Sequence, residues 1–276
     1  FTQLIVYCFM EFIHNPEFQH PFFKDVVRID YHQGSPQKII NDFGYSYLMM
    51  IYGDFYAIDP KEGSIHVPRI FVKPTGDYFR VTSPVKGIWI TFEMPPTFFH
   101  KVTGLKTREY RNVLKDLNEI ITDGLPMKLY NELENKKAIE DIVSITDHYL
   151  SPYYSHWSRE VKCDEIVAYI FEKNGLLSKD ELIDKFPYSE RTLERMFNEE
   201  VGTSPSRFIR LIRFNFIVRE IEQGSGPISE LINRYNYYDQ SHFERDFKKF
   251  LGQSIKSYKN DMNPMLTEAL AREYVK

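Results

Sequence analysis

The chain has 276 residues, of which 42% are hydrophobic and 16% aromatic, enough apolar mass for two packed domains and too much for a disordered chain. Its 35 basic and 39 acidic residues leave a net charge of −4, so overall charge does not announce a nucleic-acid binder. Cys8 and Cys163 are far apart and outside any C-x-x-C, which argues against a disulfide framework or a cysteine zinc site. With no run of 18 apolar residues and no signal peptide, a cytoplasmic protein without a membrane partner is expected.

Residues 1–96 read as β-rich. Ile88, Ile90 and Phe92 alternate with Trp89, Thr91 and Glu93, while Phe79 and Val81 flank Arg80. Residues 26–31 and 47–51 are dense apolar and aromatic runs. Turn signals separate them: Gly34-Ser35-Pro36, Gly53-Asp54, Pro60, Gly63, Pro74-Thr75-Gly76 and Ser83-Pro84. Short strands at this spacing predict a barrel or a sandwich, and Pro95-Pro96 ends the series. The aromatics Phe43, Tyr45, Tyr47, Tyr52, Phe55 and Tyr56 suit core packing first and the lining of a ligand pocket second.

From about residue 107 the period changes. Val113, Leu114, Leu117, Ile120 and Ile121 predict an amphipathic helix over 108–121 that packs on its own strands or serves dimerisation, ending at Gly124. Further helices are predicted over about 127–133 and 136–149, the latter with Ile139, Ile142 and Val143 on one face. Residues 151–156 read as a linker. A helix over 164–173, capped by Asn174-Gly175, then begins a second domain.

In that domain Ser178 and Glu181 form a capping box opening a helix that Pro187 stops. Ser189 caps the next helix, to about residue 199, with Leu193, Met196 and Phe197 as its apolar stripe. Ser204-Pro205 opens a long helix to about residue 223, ended by Gly224. Pro227 opens a helix through 235, Asn236 suits a left-handed turn, and Asp239 caps a helix over about 240–250 with Phe243, Phe247 and Phe250 inward.

These elements repeat. From Arg195 the chain reaches Phe197, Gly202, Ser204 and Phe208 after two, seven, nine and thirteen residues, and from Arg245 it reaches Phe247, Gly252, Ser254 and Tyr258 at the same distances. An internal repeat of about fifty residues, each unit two helices around a tight turn, fits a pair of modules entering successive major grooves about 34 Å apart. After Arg159 there are 18 basic and 20 acidic residues, which weighs against that reading. Locally, however, residues 201–219 hold four Arg and no acid, and residues 247–259 hold four Lys and no acid, and phosphate contact depends on such faces.

The same residues resemble the DNA-binding domain of the AraC/XylS family of bacterial transcription regulators. The resemblance rests on Ser189, Leu193, Arg195, Phe197, Gly202, Ser204-Pro205 and Arg213 in the first unit. In the second it rests on Ile228, Asp239-Gln240-Ser241-His242-Phe243, Arg245, Phe247-Lys248, Gly252 and Tyr258. It covers roughly the last 110 residues. Ile183 and Ile232 stand where the family usually has Ala, Asn236-Tyr237 replaces a Gly-Phe turn, and Ile255 replaces a Pro.

The resemblance implies an α+β protein: a β-rich N-terminal domain with helices, often a cupin-like barrel in this family, then an all-α domain with two helix-turn-helix units. The expected limits are 1–150 for sensing or dimerisation, 160–262 for DNA binding and 263–276 for a helical tail. It maps base-facing positions to Arg191, Glu194, Arg195, Ser241, His242 and Arg245. Phosphate contacts fall to Gln240, Arg207, Arg210, Lys248 and Lys249. Arg can grip guanine bidentately, Glu can accept from cytosine N4, and Ser and His make single contacts. Arg195 and Arg245 have a rival role, holding acids such as Glu199 or Asp239. The implied partners are double-stranded DNA, a small-molecule effector and a second copy of the chain.

Catalytic chemistry is not signalled. The histidines are scattered without H-x-H or H-E-x-x-H spacing, and there is no G-x-S-x-G, Walker loop or G-x-G-x-x-G, so neither a metal, a cofactor nor an enzyme is expected. The competing class is a ligand-binding protein whose helical C-terminal domain is a protein-interaction module without DNA binding.

Overall fold

In a computed structural model, which describes residues 3–7, 10–40, 42–59 and 63–260, the N-terminal half is built on antiparallel strands. These are β1 (Gln3–Tyr7), β2 (Met10–His14), β3 (Asp25–Tyr31), β4 (Ser35–Ile40), β5 (Ser46–Tyr52), β6 (Tyr56–Asp59), β7 (Gly63–His66), β8 (Ile70–Lys73), β9 (Phe79–Ser83), β10 (Gly87–Met94) and a late two-residue β11 (Lys115–Asp116). Among the described residues they form a seven-stranded sheet in the order β1-β2-β3-β10-β5-β8-β11 and a four-stranded sheet in the order β4-β9-β6-β7. Neither closes on itself. Cys8 and the expected tail 263–276 lie outside the described residues.

The alternation read along β10 separates two buried environments rather than core from water. Ile90, Phe92 and Met94 face a core completed by helices, while Trp89 faces a second core with Phe12, Tyr31 and Phe55. The helices are α1 (Phe98–Thr103), α2 (Leu125–Leu133) and α3 (Ile139–Trp157). Covering both faces of a central sheet explains why β5 is buried along its whole length.

Two sequence expectations fail here. Residues 108–121 form no amphipathic helix: 3₁₀ turns at Thr107–Tyr110 and Leu117–Glu119 flank β11. The apolar residues do not share one face, since Leu117 is 0% exposed and Val113 is 44% exposed. The free edge of β8 takes Lys115 and Asp116 into register, and the Asp116 carboxylate accepts from the Asn118 amide at 2.8 Å, closing a local turn. That segment therefore supplies no dimerisation helix. Residues 151–156 are no linker either, because α3 runs through Pro152 to Trp157. Proline removes one helix hydrogen bond. Tyr154 stacked on Phe22 (4.4 Å) and Trp157 edge-on to Phe98 (5.5 Å) offset that loss.

The C-terminal half is helical: α4 (Cys163–Glu172), α5 (Lys179–Lys185), α6 (Glu190–Met196) continued by a π turn at Phe197–Val201, α7 (Pro205–Glu222), α8 (Ile228–Arg234), α9 (Gln240–Leu251) and α10 (Ile255–Asn260). The predicted caps form. Ser178, Ser189, Ser204 and Asp239 each accept from the backbone N–H three residues on. The Ser178 box is only half made, because the Glu181 carboxylate takes the Tyr169 hydroxyl at 2.7 Å. Asn236 adopts the left-handed conformation (φ 54). The halves interlock: Tyr45 stacks on Phe171 (5.3 Å), and a Cβ on Gly44 (φ 86) would lie 2.5 Å from Ile212 Cδ1.

Candidate nucleic-acid interface

Helix α7 carries both units. Its Phe208, Ile209 and Ile212 pack with Leu193, Met196 and Phe197 behind α6. Its Phe214 and Ile217 pack with Phe243, Phe247 and Phe250 behind α9, with ring centroids 5.1–6.2 Å from Phe214. An 18-residue helix spans about 27 Å, so a single rod carries both recognition helices.

On α6 the apolar stripe is buried and Arg191 and Arg195 are exposed. Arg195 is paired with Glu199 at 2.7 Å, the rival role read from the sequence. Glu194 is half-buried, 3.8 Å from Lys179, which also pairs with Glu190. On α9, Ser241 and Arg245 are exposed and His242 is half-buried, its ring 5.2 Å from that of Tyr237. Arg245 donates Nε to the Ser241 carbonyl at 3.3 Å, and Asp239 is occupied in capping the His242 amide at 2.6 Å. Gln240, at the first position of α9, donates to Glu244 at 2.9 Å.

The five expected phosphate ligands separate into two groups. Gln240, Lys248 and Lys249 are exposed. Lys248 and Lys249 line an open groove between α9 and α10 with Arg245, Ser254 and Lys256. Although the residue is exposed, desolvation of its ammonium by neighbouring side chains, then the nearby Arg207 and Arg210, pulls Lys249 below its usual pKa. The other two, Arg207 and Arg210, are held by carboxylates. Arg210 pairs with Asp246, a fully buried acid on α9 that also accepts the Tyr237 hydroxyl at 3.2 Å. Arg207 lies over the Phe250 ring (5.3 Å) and pairs with Asp77 of the N-terminal half. Burial, then the neighbouring Arg111, lowers its pKa.

Sequence reading missed two features of this surface. Asn236 turns Tyr237 inward and leaves Tyr238, just before the cap of α9, 90% exposed. Lys256 joins this groove, which Glu244 also lines, because α10 packs against α9. No group of three or more His, Cys, Asp or Glu is placed to hold a metal ion among the described residues, and none of their helices is long and apolar enough to cross a membrane.

Residues 182–261 match the family described as "Helix-turn-helix domain". The chain is 28% identical over 79 residues to the HTH-type transcriptional activator RhaS of Pectobacterium carotovorum subsp. carotovorum (strain PC1), covering 29% of this chain and 28% of RhaS. It is 31% identical over 74 residues to the multiple antibiotic resistance protein MarA of Escherichia coli (strain K12), covering 27% of this chain and 58% of MarA. The matches thus span under a third of one relative and just over half of the other. At the level of fold, apo ToxT from Vibrio cholerae strain SCE256 superposes with a TM-score of 0.51 at 12% identity, covering 87% of this chain and 97% of ToxT. ToxT from Vibrio cholerae O395 bound to (E)-4-(8-methylnaphthalen-1-yl)but-3-enoic acid gives a TM-score of 0.50 at 12% identity, covering 84% and 96%.

Proposed function

We propose, from a C-terminal domain that belongs to the AraC/XylS helix-turn-helix family, that this protein is a sequence-specific DNA-binding transcription regulator. The observation that carries the reading is the mounting of two capped recognition helices on one rod, each with its apolar stripe buried and its polar side chains outward. Two helices held this way suit two successive major grooves. Arg191, Glu194 and Arg195 on α6 and Ser241, His242 and Arg245 on α9 are assigned to base edges. Arginine would grip guanine, glutamate would accept from cytosine N4, and serine and histidine would supply single contacts.

Gln240, Lys248 and Lys249 are assigned to phosphate, joined by Lys256 and by the Tyr238 hydroxyl, whose exposure beside the N-terminus of α9 suits a backbone contact. Arg207 and Arg210 would reach phosphate only by leaving Asp77 and Asp246, so they rank behind the lysines. The N-terminal domain is assigned the sensing of a small molecule. The ToxT structure bound to a naphthalenyl butenoic acid makes carboxylic acids the first class to screen. Assembly as a homodimer belongs to the same proposal.

The test is selection of bound sequences from a random DNA pool by the purified chain at two salt concentrations. Enrichment of a motif in two parts about one helical turn apart is expected. Binding without enrichment would reduce the surface to an electrostatic role. Absence of binding at low salt, with and without candidate acids, would favour the protein-interaction module, which the acidic balance of the C-terminal half supports.

A further inference from the structure

Each recognition helix leads to a repeat glycine, and in both units the N-terminal domain sits on that glycine. Gly202 follows the π turn after α6 and Gly252 caps α9, both left-handed (φ 92 and 67). A Cβ on Gly202 would lie 2.8 Å from Thr107 Cγ2, and a Cβ on Gly252 would lie 2.5 Å from the Tyr78 ring. Polar contacts accompany both. Thr107 donates Oγ1 to the Glu200 carbonyl at 3.2 Å, and Arg80 donates to the Gly252 carbonyl at 3.4 Å. Asp77, next to Tyr78, holds Arg207 in the first turn of α7 and Arg111 of its own domain at 2.6 Å. Two separate segments of one domain therefore touch two positions that the repeat makes equivalent.

We infer that Tyr78 and Thr107 are positioning residues for DNA recognition. The N-terminal domain braces both recognition helices by their C-terminal ends and so sets the spacing between the two halves of the DNA site. Glycine is required at both points for two reasons: the backbone is left-handed, and a neighbouring side chain fills the space of a Cβ. The inference rests on the DNA-binding reading above. Its rival is that α7 alone fixes the spacing, with the two contacts serving only as packing.

Tolerance to spacing separates the two. One inserted base pair shifts a half-site by about 3.4 Å and about a tenth of a turn, which a rigid pair of helices resists and a loosened pair accepts. The wild-type chain, Tyr78→Ala and Tyr78→Phe are compared on the selected two-part site and on the same site with one base pair inserted between its halves. Thermal melting checks each variant's fold. Tyr78 is half-buried in a loop, so removing its ring leaves the strands and helices in place. The wild type is expected to lose at least about tenfold in affinity on insertion, comparable to a mismatch. In Tyr78→Ala the loss should shrink to about twofold, and Tyr78→Phe should restore it, because the ring is what seats Gly252. A wild-type insertion penalty in Tyr78→Ala, whatever its absolute affinity, overturns the brace and leaves α7 as the spacer. Failure of the wild type to select any two-part site overturns the DNA-binding proposal itself, and the brace with it.

Discussion

In the first unit the recognition helix α6 spans seven residues and then widens into a π turn, whereas α9 in the second unit runs twelve residues without a break. The landmarks from Arg to Gly to Ser nevertheless keep the same spacing in both. The outer faces differ more. Glu190, Glu194 and Glu199 of the first unit are tied up with Lys179 and Arg195. In the second, Arg245, Lys248 and Lys249 open onto a groove with Lys256, and Glu244 is the one acid lining it among the described residues. Core and turn positions repeat because both units must pack on one rod, and the outer faces are free of that constraint. On the proposed DNA site, the first unit offers donors and acceptors for discrimination and the second adds electrostatic grip.

If the two cores are equivalent, breaking either one should have the largest effect of any single change. Phe247 lies 5.6 Å from Phe214, 5.7 Å from Phe243 and 5.4 Å from Tyr258. Phe197 lies 6.0 Å from Phe208, and both side chains are fully buried. Phe247→Ala and Phe197→Ala are each expected to cost about 3–5 kcal/mol in denaturant unfolding. A cost under about 1 kcal/mol for one of them would mean that its unit rests on other contacts, and the comparison would lose its footing.

The outer faces come next. Arg191→Ala should lose about 1–3 kcal/mol on the selected site and relax the preference at one base. An equal loss on random DNA would remove Arg191 from base reading. Lys248→Ala should weaken all sequences alike and reduce the salt slope by about 1, the mark of one lost phosphate contact. Should Lys248→Ala leave the slope unchanged while Arg191→Ala lowers it, the division of labour between the units would be reversed.

The helical C-terminal half was legible because its signals are local. The four helix caps and the left-handed Asn236 depend on residues within a few positions of one another. The alternation along β10 was also legible, although it could not tell that both of its faces are covered. The failures were long-range. The edge of β8 drew Lys115 and Asp116 into a strand, and packing on Phe22 and Phe98 carried α3 through Pro152. At the candidate site, exposure of Arg191, Ser241, Arg245 and Lys248 followed from helical spacing. The partner of Arg207 did not, since Asp77 lies 130 residues away in sequence.

The smallest expected effect decides the rival roles of Arg195. Its pair with Glu199 joins neighbouring turns of a helix end, with the Arg195 side chain 57% exposed. Such a pair contributes about 0.3–0.5 kcal/mol. Arg195→Ala and Glu199→Gln should therefore cost the same small stability. On DNA they should part: Arg195→Ala is expected to weaken binding to the selected site, whereas Glu199→Gln, which frees the guanidinium, should leave it unchanged or slightly tighter. If both variants bind like the wild type, Arg195 serves only the helix. Arg191 and Glu194 would then remain as the base-facing residues of the first unit, and its share in recognition would be smaller than proposed.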